Sequence, residues 1–226
     1  MPKPPVASRK IAAQAIKKDE QAYHHGNLRT AIIDATLAQV EEHGINSVSV
    51  REIAKRLGVS PGAPFRHFAN KKALLTAVAT EAMEGFSAAV HDELGSTPNA
   101  APSEALRAIG RGYLRWALGN RAQFAIISNR DEIDFLEAPQ LYALSDGVMQ
   151  LMNPYIQAMF AGSSEDELVA KKLVCRGLVY GLARMAVDGH FDEWNIQKGK
   201  QLHTVEKVLD QFIAMITHFD QTLSVR

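Results

Sequence analysis

A single cysteine, Cys175, stands among 226 residues. No internal disulfide can staple such a chain, and a lone thiol among helix-like neighbours reads as a packed residue without a role of its own. No uninterrupted apolar run reaches the roughly 20 residues that a membrane helix needs. No charged-then-apolar leader ending in small residues opens the chain, so the expected location is the cytoplasm. Sustained alternation of apolar and polar residues is missing, which argues against strands, and no internal repeat is evident. Catalytic signatures are also missing: there is no glycine-rich phosphate loop, no nucleophile elbow and no zinc-spaced Cys/His set. His24 and His25, and the group Asp188, His190, Asp192 and Glu193, carry metal-capable side chains but read as a helix entry and a polar helix end. The expectation is a protein without catalysis, cofactor or metal.

Net charge is lacking too, since 25 Lys and Arg balance 25 Asp and Glu. The balance hides an asymmetry. From Met1 to Lys72 there are 12 Lys and Arg against 6 Asp and Glu, and the remainder has 13 against 19. A basic head joined to an acidic body concentrates attraction for phosphate in the head. Three early prolines and scattered basic residues without an apolar period make residues 1–22 an expected mobile basic arm. Residues 23–72 form the expected head and residues 73–226 the expected body.

Helical periods fill the rest. Ile32, Ile33, Ala35, Thr36, Leu37 and Val40 recur at helical spacing, and Gly44 supplies a left-handed stop. Ser49 stands three residues before Glu52, the spacing of a capping box, and Val50, Ile53, Ala54 and Leu57 follow at i, i+3, i+4 and i+7. Gly58 ends this short helix. Val59 fills the corner, and Ser60 followed by Pro61 reads as the cap and first residue of a third helix. A fourth helix starts near Asn70 and runs past Phe86 to a break between Gly95 and Pro102. Beyond it, helical periods cover Ser103 to Leu118, Ala122 to Ser128, Ala138 to Phe160, Glu165 to Val187 and about Lys198 to Leu223. The fold class is all-α.

Two short helices joined by a tight turn, with small and apolar residues inside, are the parts of a helix-turn-helix. Ser49 to Phe68 supplies them: Ala54 permits close approach, Gly58 makes the turn, Val59 and Phe68 anchor the core, and Phe65, Arg66 and His67 face outward. The run "SVREIAKRLGVSPGAPFRHFANKKALL" resembles the DNA-binding domain of the TetR family of transcriptional regulators over about residues 23–86. "YHHGNLR", "GAPFRHF" and "GLARMAVDGHF" resemble one large subgroup of that family. The resemblance implies a small helix-turn-helix head on a larger helical body. It also implies a homodimer on a near-palindromic double-stranded operator and a small-molecule effector of unknown class bound in the body. It further implies a repressor, although direction of regulation is not written in these residues. Carried over by position, Arg51 reaches a base or phosphate, and Arg66 reads bases directly. Pro61, Gly62 and Ala63 form the tip of the recognition helix, His67 and Lys71 contact phosphates, and Ser49 and Ser60 add contacts from their caps. Phe65 stands where the family most often has tyrosine, so the phenolic contact to phosphate is lost. Pro64 removes an amide near the end of the first turn, which stiffens the start of the recognition helix.

In the body, Phe86, Tyr113, Trp116, Phe124, Met149, Met152, Phe160, Tyr180 and Met185 are the expected lining of an apolar cavity, with Tyr113, Trp116 and Arg115 as polar handles. The last two long helices resemble the family's dimerising pair. Gly177, Gly181 and Ala183 permit close approach there, and Val205, Val208, Leu209, Phe212 and Ile216 form an apolar stripe. The fourth helix, starting at Asn70 and passing Phe86, is the expected lever between effector and head. Two other readings stay open: an architectural DNA-binding protein without an effector, and a helical small-molecule-binding enzyme with a helix-turn-helix-like head.

Overall fold

The fold was obtained as a computed structural model that describes residues 28–223, with side chains described through residue 217. The expected basic arm, including His24 and His25, lies outside the described residues. Among those residues there are helices and turns but no strand. They separate into two compact units at the Leu74–Leu75 bond.

The first unit holds α1 (28–43) and α2 (Val50–Arg56). Ile32, Ile33, Ala35, Val40, Val48, Val50, Ile53, Ala54 and Phe68 are buried in its core. The buried Thr36 hydroxyl donates to Ile32 O at 2.7 Å, which removes the cost of placing it there. Gly44 ends α1 with φ +78°, but its ψ of 165° is not the left-handed helical value expected. Ser49 caps α2 by accepting from Glu52 N at 3.5 Å, which is half of the capping box that its spacing suggests. After α2, Gly58 takes φ +67° and donates to Lys55 O, while Val59 N donates to Ala54 O. These two bonds are the Schellman pattern, in which a left-handed glycine lets the turn satisfy the last carbonyls of the helix.

The expected third helix is absent. Ser60–Phe68 contains only a 3-10 turn over Pro64–Arg66. An α-helix starting at Pro61 would need Pro64 to donate to Ser60 O, and proline has no N–H to give. Ser60 O instead accepts from Ala63 N at 2.9 Å, and Phe68 N reaches Pro64 O at 3.0 Å.

Between the units runs a single unbroken helix, α3 (Lys71–Gly95), entered where Asn70 Oδ1 accepts from Ala73 N at 2.8 Å. By length and composition it is long and apolar enough to cross a membrane. Its apolarity has an internal use, because Leu75, Val78, Ala79, Met83, Phe86 and Val90 are buried in the protein.

The second unit comprises the remainder of α3 with α4 (Pro102–Gly119), α5 (Arg121–Ser128), α6 (Pro139–Gln150), α7 (Asn153–Met159), α8 (Glu165–Val187) and α9 (Gln201–Leu223). The single period expected from Ala138 to Phe160 is broken into α6 and α7. Pro154 cannot donate to Gln150 O, so the helix stops and restarts. A reciprocal capping box at Ser164 and Glu167 starts α8. The acid's bonds to Ser164 hold its carboxyl below the usual range.

Helix α4 lies at the centre, in contact with α5, α7, α8 and α9. Two glycines let its neighbours come close. A Cβ on Gly112 would lie 2.9 Å from Val90 Cα and 3.1 Å from Ala89 O, and one on Gly110 would lie 2.8 Å from a Leu209 methyl. Between these contacts, Arg107, Arg111 and Arg115 line one side of α4. Arg107 pairs with Asp210 at 3.1 Å, Arg111 with Glu93 at 3.4 Å, and Arg115 with Glu206 at 2.6 Å and Glu93 at 3.1 Å. Arg115 is therefore committed to α3 and α9 and is not the cavity handle expected.

Gly112→Ala is expected to destabilise the chain by about 1–3 kcal/mol, because the obstructing atoms are backbone and cannot swing away. Gly147→Ala, on an exposed turn of α6 with open space around it, is expected to stabilise by about 0.5–1 kcal/mol. Urea denaturation of the two variants beside the parent chain checks both signs.

Candidate functional site

In the first unit the turn chemistry sets what faces solvent. Phe68 and Pro64 are buried and hold the Ser60–Phe68 segment to the core, and the Arg29 guanidinium lies 5.6 Å from the centre of the Phe68 ring. With those anchors inward, Ser60, Pro61, Gly62, Phe65 and Arg66 are exposed, and Ala63 and His67 are half-buried. Phe65, 46% exposed, is an apolar ring left in water. On and beside α2, Arg51 is exposed and Ser49 half-buried, and Lys71 at the start of α3 is half-buried.

Pairing divides the basic residues of this unit. Arg56 is held by both oxygens of Glu42, at 2.9 and 3.1 Å, and Lys55 lies 3.9 Å from Glu52. The Arg56 guanidinium holds the Glu42 carboxyl below its usual range. Among the described residues, Arg51 and Arg66 have no acidic partner. Their charge is available to an external anion.

The second unit holds a partly open cavity of about 190 Å³. Phe86, Tyr113, Phe124, Met149, Met152 and Tyr180 of the expected lining are on its wall. Three rings interlock there: Phe86 meets Tyr113 edge-on at 4.9 Å, and Tyr113 meets Phe124 at 6.1 Å. Burial pushes the Tyr113 phenol far above its ordinary value, so it is a neutral hydroxyl at any physiological pH.

Trp116, Phe160 and Met185 do not line this cavity. Trp116 is buried behind Phe86, with ring centres 5.1 Å apart. Phe160 borders a second hollow with Val174, Phe212 and Ile216, and Met185 lies outside both. Of the stripe expected at a dimer interface, Val205 and Leu209 are buried inside the chain, and Leu209 packs on Gly110 and lines the cavity. Phe212 also lines it, Val208 and Ile216 are half-buried, and Gly177 and Gly181 have open space where a Cβ would be. Ala183 is fully buried. Apolar residues that the sequence did not single out are exposed instead: Val169, Leu173 and Val174 on α8, and Met215 on α9.

Arg130, Arg176, Ser128 and Ser145 line the cavity and were missed. A signal existed for Arg176, which precedes the buried Val179, Ala183 and Ala186 by 3, 7 and 10 residues. A charged residue on a buried helical stripe is a departure worth explaining. Arg130 follows a helix end, where an arginine carries no such mark.

Comparison with known proteins adds an independent line. Residues 32–78 match the family model described as bacterial regulatory proteins, tetR family, and residues 106–212 match the tetracyclin repressor-like C-terminal domain. The HTH-type transcriptional regulator BetI of Yersinia pestis (strain Pestoides F) is 30% identical over 173 residues, covering 73% of this chain and 84% of that protein. The chain belongs to the TetR family. A protein of unknown function from Rhodococcus sp. RHA1 superimposes with a TM-score of 0.64 at 24% identity, over 84% of this chain and 96% of that one. A tetR-family regulatory protein from Rhodococcus RHA1 gives 0.62 at 18% identity, over 84% and 95%. These two share the all-α fold. As a TetR-family member this protein is a DNA-binding transcriptional regulator.

Cys175 reports on this TetR-family body. It borders both hollows, and burial pushes its thiol from the ordinary 9.0 up to about 11. At pH 8 the thiolate fraction is then about 100-fold lower than at an unperturbed site. A thiolate of higher pKa is also the stronger nucleophile, so reaction with a disulfide reagent at pH 8 should be slower than that of free cysteine by about tenfold. It should recover in denaturant, and since the chain has one cysteine the absorbance trace needs no assignment.

Proposed function

We propose that this regulator is a cytoplasmic homodimeric repressor released from a near-palindromic operator by a small molecule bound in the second unit. The observation that carries the reading is the cavity, together with the helix that contributes to its wall. Met83 and Phe86 line it, and both belong to α3, whose first residues, Lys71 to Leu74, are part of the helix-turn-helix unit. A ligand changes DNA affinity only by binding the DNA-competent and incompetent arrangements unequally. Helix α3 spans the boundary of the two units in sequence, and it gives the ligand an element to bias.

Dimerisation is supported by the exposed apolar residues of the last two long helices. Leu173 is 62% exposed, with Val169, Val174 and Met215 also out in water, and Gly177 and Gly181 leave room for a partner to approach. A helix-turn-helix reading a two-fold operator needs two heads, and a second copy meets that need. Leu173→Glu should shift the mass in light scattering from two chains toward one at micromolar concentration and weaken operator binding.

In the head, Arg66 is proposed as the base reader and Arg51 as its companion toward base or phosphate. His67 and Lys71 set register on phosphates, with Ser49 and Ser60 adding cap contacts. Pro61, Gly62 and Ala63 form a narrow tip, and Phe65 packs on sugar. Arg66→Ala should weaken operator binding by about 1–3 kcal/mol and relax base preference, whereas Lys71→Ala should weaken binding to all sequences alike and lower the salt slope. Selection of bound sequences from random DNA, repeated with a metabolite pool, tests the whole reading. A palindromic site lost in the presence of the pool is the expected result. Scattered weak sites that ignore every metabolite would favour an architectural role, and absence of salt-dependent selective binding would favour a helical enzyme.

A further inference from the structure

We infer that the cavity of the second unit takes a small amphipathic organic anion, a monocarboxylate whose charged head meets Arg130 and Arg176 and whose apolar body fills the space beyond them. The inference rests on the effector reading for its biological use and names the chemical class that reading leaves open.

Sign is the first argument. Among the described residues Arg130 and Arg176 are the charged residues on the cavity wall, and no Asp or Glu lines it. Among the described residues neither arginine has an acidic partner, whereas Arg107, Arg111 and Arg115 of the same unit are each matched by one. Arg130 lies 3.3 Å from the centre of the Phe135 ring, a contact that orients the guanidinium without neutralising it. Its pKa is lowered first by burial and next by repulsion from Arg176. Two like charges beside an apolar hollow are the environment in which an added anion gains most.

Donors are the second argument. Tyr113 is a neutral phenol that senses both arginines and Tyr180 electrostatically, so these groups share a neighbourhood. Ser128 also lines the cavity, and its Oγ is buried without a hydrogen-bond partner among the described residues. A buried hydroxyl left unpaired costs free energy that a ligand oxygen would recover. Guanidinium, phenol and hydroxyl groups can all donate, and a carboxylate accepts from each.

Shape completes the case. Met83, Phe86, Leu106, Ile109, Phe124 and Val179 make the rest of the wall apolar, which excludes a compact inorganic ion as a full occupant. The cavity of about 190 Å³ exceeds the roughly 150 Å³ that holds one benzene. In that proportion it holds about eight non-hydrogen atoms, the size of one ring carrying a small polar head.

The test is calorimetric titration of the full chain with four matched probes: benzoate, its amide, the corresponding alcohol and the corresponding primary ammonium. The carboxylate should bind at least about tenfold tighter than amide or alcohol, with the ammonium weakest. Arg176→Gln and Arg130→Gln should each bring the carboxylate toward the amide's affinity while leaving the alcohol's unchanged, which shows that the cavity survives. Should a variant unfold, the ranking of the four probes on the parent chain still decides. Equal or tighter binding of amide, alcohol or ammonium overturns the inference, as does a carboxylate preference untouched by both variants, or no carboxylate binding at millimolar concentration. Operator affinity measured with each probe separates the two readings. Arginine-dependent carboxylate binding that leaves operator affinity unchanged keeps the anion site and removes the effector reading. Operator release by the neutral or cationic probes, with no response to the carboxylate, does the reverse.

Discussion

The second unit is organised by how closely other helices approach α4. Where Gly112 faces Val90 and Gly110 faces Leu209, the absence of side chains brings α3 and α9 close to the helix that runs between them. That proximity lets Glu93 reach Arg111 and Arg115, and lets Glu206 and Asp210 reach Arg115 and Arg107. Most of these ions keep contact with water, so their individual contributions are small. Their effect is to fix register between helices whose contact is otherwise apolar and non-directional. The cavity follows from the same geometry, because Leu106, Ile109, Gly110 and Tyr113 of α4 form one of its walls.

Much of the fold was legible because helical periods and punctuation agree. Gly58, Ser49 and Asn70 each do what their type and position suggest, and α4, α5, α8 and α9 fall within a few residues of their periodic runs. Two failures share a cause. At Pro64 the cap signals, and at Pro154 the apolar period, point to a continuing helix, but an amide needed to close an α-turn is absent and the backbone follows hydrogen bonding. Periodicity reports where side chains prefer to be, and it is silent about a missing donor.

The site was legible to a lesser degree, and unevenly. Exposure of Arg51 follows from burial of Val50, Ile53 and Ala54 on α2, and that of Phe65 and Arg66 from the anchoring of Pro64 and Phe68. A cavity wall is assembled from α3, α4, α5, α6, α8 and α9, and no local rule separates Met152, which lines it, from Met185, which does not. The apolar stripe of α9 illustrates the same ambiguity. Val205 and Leu209 face inward while Met215 faces water, a division set by the position of α4 rather than by the residues themselves. Arg176 carries a local mark, since its charge stands at the head of the buried line Val179, Ala183 and Ala186.

The two prolines of the Ser60–Phe68 segment have a thermodynamic consequence. Pro61 and Pro64 fix two backbone angles within four residues, and burial of Pro64 secures the turn before any partner arrives. Little chain entropy is then left to lose on entering a groove. On the proposed reading, in which this segment enters the groove, it meets right and wrong sequences in nearly the same shape, and discrimination falls on side-chain fit and on how readily the DNA deforms. Adaptation on the protein side would then come from movement of the turn about its buried Pro64 and Phe68 anchors.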